Sequence, residues 1–481
     1  MAHKQDGKWS WLVCFSATLS WLGALGFLFS FGIFFPVFMD YFHESREKTA
    51  WVGSLAMALT NFSGLVSGAL IKRFGCRFTT LVGGFLCALS LGLSSLAKNI
   101  LTLFLTYSAL YGLGTSCVLS ASLNIISKYF KKRRSMATGI VACGQGGGVL
   151  ILGPVLQTMI NAFGWQTTYQ IMAGVVLSLC LSGLTYSPNV EHDELQGDVV
   201  EVEGSASSAD GAQNELVGHE RGENTKTSVE EEKRGCHAFL TVWKEPKFVA
   251  LVASSSVMMF GHFVPQIHLV RFCEDIGITA DAASRLFIYY GLASCIARLI
   301  SGRLCDFQKV NTFYVYQAAE LVLGTTILVV TMASSYAHMI AFVVIYGFCD
   351  GLFITTLNVL VITCVSQSQV PFAIGWELQI TSIVVAGGPP AAGLMADSLG
   401  TYTHAFYMSG AVVIAGACIP FLLLFTNTKE PGTRTRETLS DLWELNGPIK
   451  EIPVTMDTEQ GGETEADPSS GESFIVWTSS V

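Results

Sequence analysis

The chain has 481 residues, of which 51% are hydrophobic and only 14% are charged, and its mean hydropathy is +0.48. Soluble globular proteins carry about 25% charged residues, so this composition excludes an ordinary soluble protein and indicates a chain that crosses a membrane many times. The formal net charge is −9. Because much of the acid lies in one internal segment, the overall sign predicts no particular partner, and we expect no nucleic-acid partner.

Twelve apolar stretches of the chain reach the length of about 20 residues that a bilayer crossing requires. Six lie in the first part, at residues 11–38, 51–71, 79–97, 101–127, 136–160 and 166–186. Six lie in the second part, at residues 247–271, 284–304, 312–333, 338–364, 371–396 and 404–426. We therefore predict an all-α polytopic membrane protein with an N-terminal six-helix bundle at 11–186 and a C-terminal six-helix bundle at 247–426.

The segment between the two bundles has a different composition. From Ser187 to Gly235 it holds thirteen Asp or Glu residues against four Lys or Arg, is rich in Gly and Ser, and is nearly free of aromatic residues. Such a segment cannot bury enough apolar surface to offset the entropy lost on ordering. We predict a disordered acidic linker at 187–246 and a disordered tail of the same character at 427–481.

Lysine and arginine are concentrated in every second loop. Five of them occur within the seven residues from Lys128 to Arg134, ahead of the fifth apolar stretch. The loops before the third and ninth stretches also carry cations, whereas the loops on the other side hold few. Since cytoplasmic loops carry the excess of Lys and Arg, we predict that residues 1–10, the linker and the tail are cytoplasmic. The cations at 128–134 are then determinants of topology.

The chain has thirteen cysteines, most of them inside apolar stretches, and none has the spacing of a metal site or of a disulfide framework. We interpret them as small apolar packing residues and predict no metal-binding residue. The sequence has no phosphate-binding loop and no nucleophile elbow. We therefore expect no enzyme, no catalytic residue and no cofactor.

Two motifs lie at the beginning of the first and fifth apolar stretches. The first is Asp6-Gly7-Lys8-Trp9-Ser10-Trp11, in which an acidic residue and a glycine precede two tryptophans. The second passes from a cationic turn into spaced glycines, and its matching residues are Tyr129, Phe130, Lys132, Arg133, Arg134, Ala137, Gly139, Gly144 and Gly148. Both motifs resemble the signatures of the monocarboxylate transporter family, solute carrier family 16. The residues that depart from the usual pattern are Lys8, Ser10, Met136, Val141 and Cys143.

This resemblance implies the major facilitator fold, with twelve transmembrane helices in two six-helix halves around a substrate site near the midplane. It also implies a multi-pass plasma-membrane carrier of a small organic carboxylate, with an accessory single-span glycoprotein as a candidate partner. Shorter stretches look most like the branch that carries aromatic amino acids and thyroid hormones. These stretches are Lys48–Leu55, Arg73–Arg77, Phe263–Pro265, His268-Leu269, Cys349–Gly351 and Gly388–Pro390.

A carboxylate carrier needs a fixed cation inside the membrane, where ionisable residues are costly and mark transport pathways. Arg298 in the eighth stretch is the main candidate, because a guanidinium stays charged and binds a carboxylate through two hydrogen bonds. The alternative is a structural ion pair or an arginine that extends to the membrane surface. The resemblance places a functional arginine here and pairs it with Asp350. Counted from the ends of their stretches, the two residues differ in depth by up to about two turns, roughly 11 Å, so direct contact is a hypothesis.

His268, near the outer end of the seventh stretch, is a further candidate substrate-binding residue, and an ordinary interfacial histidine is the alternative. Glu320 and Glu377 also lie inside spans, where protonated structural carboxyls are the alternative to a pathway role. In family members that carry protons together with lactate or pyruvate, a lysine occupies the position of Phe29 and an aspartate that of Ser294. The absence of both favours facilitative transport of a larger or aromatic carboxylate.

Three functions stay open at this point. The favoured one is alternating-access transport of an aromatic amino acid or an iodothyronine-like carboxylate, and the first alternative is proton-coupled symport of lactate or pyruvate. The alternative of another class is a non-transporting membrane sensor or scaffold, which has no reason to bear the cost of Arg298 and Asp350. The C-terminal residues Ser479-Ser480-Val481 resemble a ligand of PDZ domains, which bind such tails as an added strand, unless the tail is simply unbound.

Overall fold

The structure, a computed structural model, describes residues 3–131, 133–187, 190–191, 241–305, 310–366 and 369–422. Most of the predicted linker at 187–246 and the whole predicted tail at 427–481 lie outside these residues, as does the PDZ-like sequence Ser479–Val481. The predictions for those segments therefore stay predictions.

The first half of the chain is a succession of apolar helices. In chain order they are α1 (Lys8–Phe29), α2 (Phe31–Phe42), α3 (Arg46–Phe62), α4 (Gly64–Ser94), α5 (Ile100–Leu103), α6 (Gly112–Tyr129) and α7 (Arg134–Cys180). A π-helical segment, Phe104–Tyr111, joins α5 to α6, and a 3₁₀ helix, Leu181–Thr185, follows α7. Each long helix coincides with one or two of the predicted apolar stretches.

Two glycines convert long helices into pairs of crossings. α7 has 47 residues, which at 1.5 Å per residue would be about 70 Å, roughly twice the thickness of a bilayer core. Gly164 interrupts it with φ 77° and ψ 166°, a conformation that side-chain-bearing residues avoid. Gly75 interrupts α4 in the same way, with φ 82° and ψ 167°. α3 with the start of α4 is thus the second crossing, the rest of α4 is the third, and α7 is the fifth and sixth.

The second half of the chain continues with the same kind of helix. Its helices are α8 (Pro246–His262), α9 (Val264–Asp275), α10 (Ala280–Leu304), α11 (Thr312–Val329), α12 (Tyr336–Thr363), α13 (Val370–Leu399) and α14 (Thr403–Cys418). α8 and α9 together form the seventh crossing, and the five helices after them form one crossing each. The described helices thus form the predicted all-α bundle with twelve membrane crossings.

Large apolar side chains are exposed on the outside of this bundle. Leu65, Leu105 and Met332 are 70%, 74% and 78% exposed, and many others are exposed to a smaller degree. Exposed apolar surface on this scale is unfavourable in water and marks an interaction with another apolar phase. Ten helical stretches in the described part of the chain are long and apolar enough to span a membrane. The outside of the bundle is therefore the surface that faces lipid.

The two sequence motifs form one structural unit. The backbone N–H of Asp6 donates to the carbonyl of Tyr129 at 3.0 Å, and the Asp6 carboxylate accepts from the N–H of Lys131 at 3.2 Å. The rings of Trp11 and Phe130 pack edge to face with centroids 5.0 Å apart. Beside this unit, the short strands β1 (His3–Lys4) and β2 (Val190–Glu191) pair in parallel. We refer to the end of the bundle that carries this unit and the strand pair as the terminal end.

The last residues of the predicted linker are ordered, which differs from the predicted boundary at residue 246. Val242–Lys244 is a 3₁₀ helix, and Val242 is fully buried. The Trp243 ring packs edge to face on Phe248 and Trp376, with centroids 5.7 Å and 5.4 Å away. These aromatic contacts supply the apolar burial that the acidic part of the linker lacks. The ordered second half therefore begins before α8.

The two halves of the molecule meet along two main helix pairs, α7 with α10 and α3 with α13. Glycines allow the α7–α10 contact, since a Cβ atom at Gly291 would lie 2.5 Å from the carbonyl oxygen of Gly146. Within the first half, a Cβ at Gly148 would lie 2.6 Å from the Cα of Gly26 on α1. Small residues of this kind let membrane helices approach each other closely. Gly148 of the second motif thus lets α7 pack closely on α1, and Gly146 lets it pack closely on α10.

Candidate functional site

Four polar side chains converge on the carboxylate of Asp350, which is buried in α12. His262 Nε2 lies 3.0 Å from Oδ1. On the other oxygen, Oδ2, the hydroxyls of Tyr290 and Ser294 donate at 3.2 Å and 3.0 Å, and Arg298 Nη2 donates at 3.4 Å. A buried carboxylate is tolerated only when it is paired and hydrogen-bonded, and Asp350 meets both conditions.

The helical repeat of α10 aligns three of these partners. Tyr290, Ser294 and Arg298 follow one another at intervals of four residues, so that they lie on one face of the helix. α12 approaches this face closely, because a Cβ at Gly351 would lie 2.6 Å from the carbonyl oxygen of Ser294. The glycine next to Asp350 therefore brings its carboxylate to the polar face of α10.

The structure resolves the apparent difference in depth between Arg298 and Asp350, since the two side chains form an ion pair at 3.4 Å. Side chains on a helix lean towards its N-terminus, so the guanidinium of Arg298 extends along α10 towards Ser294. Counting residues from the helix ends ignores this reach. The hypothesis of direct contact holds, and Arg298 is buried rather than extended to the membrane surface, with an exposure of 2%.

Arg298 also links the two halves of the molecule. Its Nη1 donates to the carbonyl of Ala142 at 2.8 Å and to Oε1 of Gln145 at 3.2 Å, and both of these residues belong to α7. Among the described residues, no group accepts a hydrogen bond from its Nε. The guanidinium thus touches a carboxylate in its own half and neutral acceptors in the other half, and one buried donor is left over.

His268 lies in a different cluster from Arg298 and Asp350. Its Nδ1 is 3.1 Å from the hydroxyl of Tyr402, and its Nε2 is 2.9 Å from the carbonyl of Pro389. The ring is fully buried and packs edge to face on Phe35, with centroids 4.7 Å apart. Both ring nitrogens therefore have protein partners in this conformation, and its role in substrate binding stays a prediction.

Arg46 holds the halves together at the end of the bundle opposite the terminal end, which we call the distal end. Its guanidinium pairs with Asp275 at the end of α9 at 3.3 Å and with Asp397 of α13 at 3.5 Å. It also lies over the Tyr402 ring, 5.1 Å from the centroid. One side chain of the first half thus bridges three elements of the second, and Tyr402 connects this tether to His268.

Replacing Arg46 by glutamine is expected to loosen the distal end. Its ion pairs are partly exposed, and such pairs contribute about 0–1 kcal/mol each, so we expect local opening to become several-fold more frequent. Hydrogen–deuterium exchange at the end of α9 and in the last turns of α13 measures this effect. The matched control is Lys48→Gln, because Lys48 pairs with Glu44 of its own segment at 2.9 Å. Equal exchange in the two variants would show that Arg46 is no tether.

The remaining predicted residues are placed around these two clusters. Glu320 in α11 is fully buried, and its two carboxyl oxygens lack a hydrogen-bond partner among the described residues. Glu377 in α13 is also buried. The Phe29 ring packs on Phe263 with centroids 5.7 Å apart, and the Phe263 ring in turn packs on His262. Ser294, which stands where proton-coupled family members have an aspartate, donates a hydrogen bond to Asp350.

A small cavity of about 10 Å³, enough for about one water molecule, lies between α9, α10 and α12. Tyr290, one of the donors to Asp350, forms part of its wall together with Tyr346, whose hydroxyl donates to the carbonyl of His262 at 2.6 Å. The other lining residues are Pro265, Gln266, Leu269, Phe287, Phe342 and Val343. The cavity is too small for an organic substrate in this conformation, and it shows only that the surroundings of Tyr290 are aromatic and aliphatic.

Sequence reasoning missed three members of this site: His262, Gln145 and Tyr290. His262 carries the same signal as Arg298, an ionisable residue in an apolar span, and the rule that found Arg298 would have found it too. Gln145 and Tyr290 are uncharged and give no such signal. Only the packing of α7 and α12 against α10 shows that they contact Arg298 and Asp350.

Comparisons with known proteins agree with this architecture. The family model of the Major Facilitator Superfamily matches residues 13–316 and 248–455. Monocarboxylate transporter 10 of Mus musculus is 28% identical over 431 residues, which cover 88% of this chain and 80% of that protein. Monocarboxylate transporter 2 of Homo sapiens is 26% identical over 476 residues, 96% of each chain.

Solved structures show the same fold at low sequence identity. A bacterial homologue of the human lysosomal transporter Spinster, in an inward-facing and unoccupied conformation, superposes with a TM-score of 0.65 at 12% identity and covers 89% of this chain and all of that one. A POT family transporter in complex with 5-aminolevulinic acid has a TM-score of 0.64 at 13% identity, with 89% and 99% coverage. The chain therefore belongs to the Major Facilitator Superfamily of membrane transporters, and its resemblance to the monocarboxylate transporter family is confirmed.

Proposed function

We propose that this protein carries organic monocarboxylates across the membrane by alternating access, and that Arg298 binds the substrate carboxylate. The observation that carries the proposal is a buried guanidinium at the contact between the two halves. Asp350 neutralises it when no substrate is present, and its Nε–H is the donor left for an incoming carboxylate. Binding at this position is felt by both halves, because Arg298 also contacts Ala142 and Gln145.

The role proposed for His268 belongs to another step of the cycle. In the present conformation Arg46 holds the two halves together at the distal end and lies over the Tyr402 ring. The Tyr402 hydroxyl is hydrogen-bonded to Nδ1 of His268, the ring nitrogen that we propose faces the distal end. When the tether opens, Tyr402 is released and the imidazole becomes available to a substrate that enters there. His268 thus acts at the distal mouth, and Arg298 with Asp350 acts at the centre.

The favoured cargo is an aromatic amino acid or an iodothyronine-like carboxylate. The residues packed around Tyr290, next to Asp350, are mainly aromatic and aliphatic, and once the site opens they favour a substrate with an apolar ring. Phe29 and Ser294 stand where proton-coupled lactate carriers have a lysine and an aspartate, which favours facilitative transport. Proton-coupled symport of lactate or pyruvate is the alternative within the family, and a non-transporting sensor is the alternative outside it.

The proposed location is the plasma membrane, with the terminal end in the cytoplasm. This orientation follows from the cations between Lys128 and Arg134, which lie at the terminal end. For the two helical bundles, the linker and the tail we propose the boundaries predicted from the sequence, except that the ordered residues Val242–Lys244 belong to the second half. An accessory single-span glycoprotein and a PDZ protein that binds Ser479–Val481 are proposed partners.

Counterflow in proteoliposomes tests the proposed function. Vesicles that contain the purified carrier and unlabelled aromatic amino acid are expected to accumulate labelled aromatic amino acid transiently, and the rate should change little when the external medium is acidified. The same assay is repeated with labelled lactate. Lactate uptake that rises several-fold on acidification would replace the favoured cargo by the proton-coupled alternative. No counterflow of any carboxylate by correctly folded protein would favour the sensor or scaffold.

A further inference from the structure

Two thiols face each other across the contact between the halves, and one of them lies one helical turn before Arg298 in the chain. Cys143 belongs to α7 and Cys295 to α10. The Cys143 sulfur lies 3.6 Å from the carbonyl oxygen of Cys295, and the Cys295 sulfur lies 3.4 Å from the carbonyl oxygen of Cys143. This reciprocal arrangement joins one cysteine from each half.

The helix backbones are close enough at this point for a disulfide bond. A Cβ at Gly146, one turn after Cys143, would lie 2.7 Å from the Cys295 sulfur and 3.4 Å from its backbone nitrogen. One turn before Cys295, a Cβ at Gly291 would lie 2.5 Å from the Gly146 carbonyl oxygen. A disulfide requires Cα atoms about 4.4–6.8 Å apart, and this close approach of the two backbones favours such a separation.

Exposure distinguishes this pair from the other cysteines that lie near one another. Cys87, Cys117 and Cys180 interact electrostatically, but all three are buried and belong to the first half. Cys143 and Cys295 are both partly exposed. Partial exposure is the condition that a small oxidant needs to reach a thiol, and a bond between this pair would connect the two halves rather than two helices of the same half.

We propose that Cys143 and Cys295 form an oxidisable dithiol, and that its disulfide locks the two halves of the carrier together beside the substrate-binding arginine. With hydrogen peroxide as the oxidant, one sulfur attacks an oxygen and breaks the O–O bond, which gives a sulfenic acid and one water. The second sulfur displaces the hydroxyl group of the sulfenic acid, which forms the S–S bond and releases a second water. The two thiols lose two electrons and two protons, and one peroxide becomes two waters.

The expected consequence for transport rests on the proposed function. Alternating access requires the two halves to move against each other around the central site, and α7 with α10 is one of the two main helix pairs at which they meet. A covalent bond at this contact holds the molecule in the present conformation, in which Arg46 closes the distal end. The cross-link itself does not depend on transport.

The cross-link is tested directly by cutting the chain between its halves. A specific protease site is inserted between residues 192 and 240 of the full-length protein, and membranes are treated with hydrogen peroxide before proteolysis. On a non-reducing gel the two halves are expected to migrate as one band, which dithiothreitol separates. Cys143→Ser and Cys295→Ser should each abolish the joined band, and Cys180→Ser should retain it. Halves that separate after oxidation, or that stay joined in Cys143→Ser, would overturn the proposal.

The lock is tested on the same preparations by uptake. In the wild type, uptake should fall in proportion to the cross-linked fraction and return with dithiothreitol, and the Cys143→Ser and Cys295→Ser variants should keep their uptake in peroxide. Full uptake by cross-linked protein would overturn the lock. A carrier that transports no carboxylate even when reduced would instead contradict the proposed function, and the gel assay would still decide whether the disulfide forms.

Discussion

Replacing Arg298 by alanine is expected to reduce carboxylate uptake by about thirtyfold or more, because truncating one member of a buried charge pair costs about 2–5 kcal/mol. The substitution removes the cation that we propose binds the substrate, and it leaves Asp350 buried with hydroxyl and imidazole partners alone. It also breaks the hydrogen bonds to Ala142 and Gln145 that connect the halves. Initial rates of labelled substrate uptake, normalised to carrier at the cell surface, measure the effect.

Three further variants separate binding from general damage. Arg285→Ala is the matched control, since Arg285 lies on the same helix and donates to the Asp281 carbonyl in an exposed position, and it should leave uptake near the wild-type value. Lysine at position 298 keeps the charge but lacks the planar fork that reaches both Asp350 and α7, so it should restore only part of the uptake. The exchange Arg298→Asp with Asp350→Arg should recover some of the activity that each single variant loses. No recovery at normal surface expression would contradict the pairing.

Replacing Gly388 by alanine is expected to destabilise the protein strongly, because the new methyl group would overlap the backbone carbonyl of Phe260. Overpacking against side chains typically costs about 1–3 kcal/mol, and here the obstacle is the backbone of α8, which cannot move aside alone. The contact between α13 and α8 must therefore open. A lower unfolding temperature in detergent and less carrier at the cell surface are the expected results.

The neighbouring glycine supplies the control. A Cβ at Gly387 would meet the Phe260 ring at 3.6 Å, an ordinary contact. Gly387→Ala makes the same chemical change one residue earlier, and it also gains roughly 0.5–1 kcal/mol because alanine loses less conformational entropy in a helix. It should leave the unfolding temperature unchanged or slightly higher. Equal destabilisation by both variants would mean that helix flexibility, rather than the close approach to Phe260, explains the effect.

The sequence was sufficient for the features that repeat along the chain. Apolar stretches of bilayer length predicted all twelve crossings, including those that the structure joins through Gly75 and Gly164, because hydropathy depends on composition rather than on helix continuity. Arg298 and Asp350 could be identified because a charge inside a membrane is costly, which also depends only on the residue and its own segment. These predictions rest on local chemistry that each segment carries by itself.

Features that depend on which helices touch were not predictable in the same way. Arg46 is the first residue of α3 and carries no sign that Asp275 and Asp397, more than 200 residues later in the chain, would meet it. The cysteines were interpreted as packing residues, and only the contact of α7 with α10 shows that Cys143 and Cys295 face each other. Depth counted from helix ends also misjudged Arg298, because it omitted the length and direction of the side chain.

The placement of Asp350 has a kinetic consequence for the empty carrier. Arg298 and its counter-ion both belong to the second half, so the ion pair moves as a unit when the halves separate, and only the bonds to the neutral acceptors Ala142 and Gln145 break. Under the proposed function, the unloaded protein can therefore reorient without exposing an unpaired charge, and its return step is expected not to require a bound carboxylate. This arrangement favours net downhill flux over obligatory exchange, in which each imported molecule must be matched by an exported one.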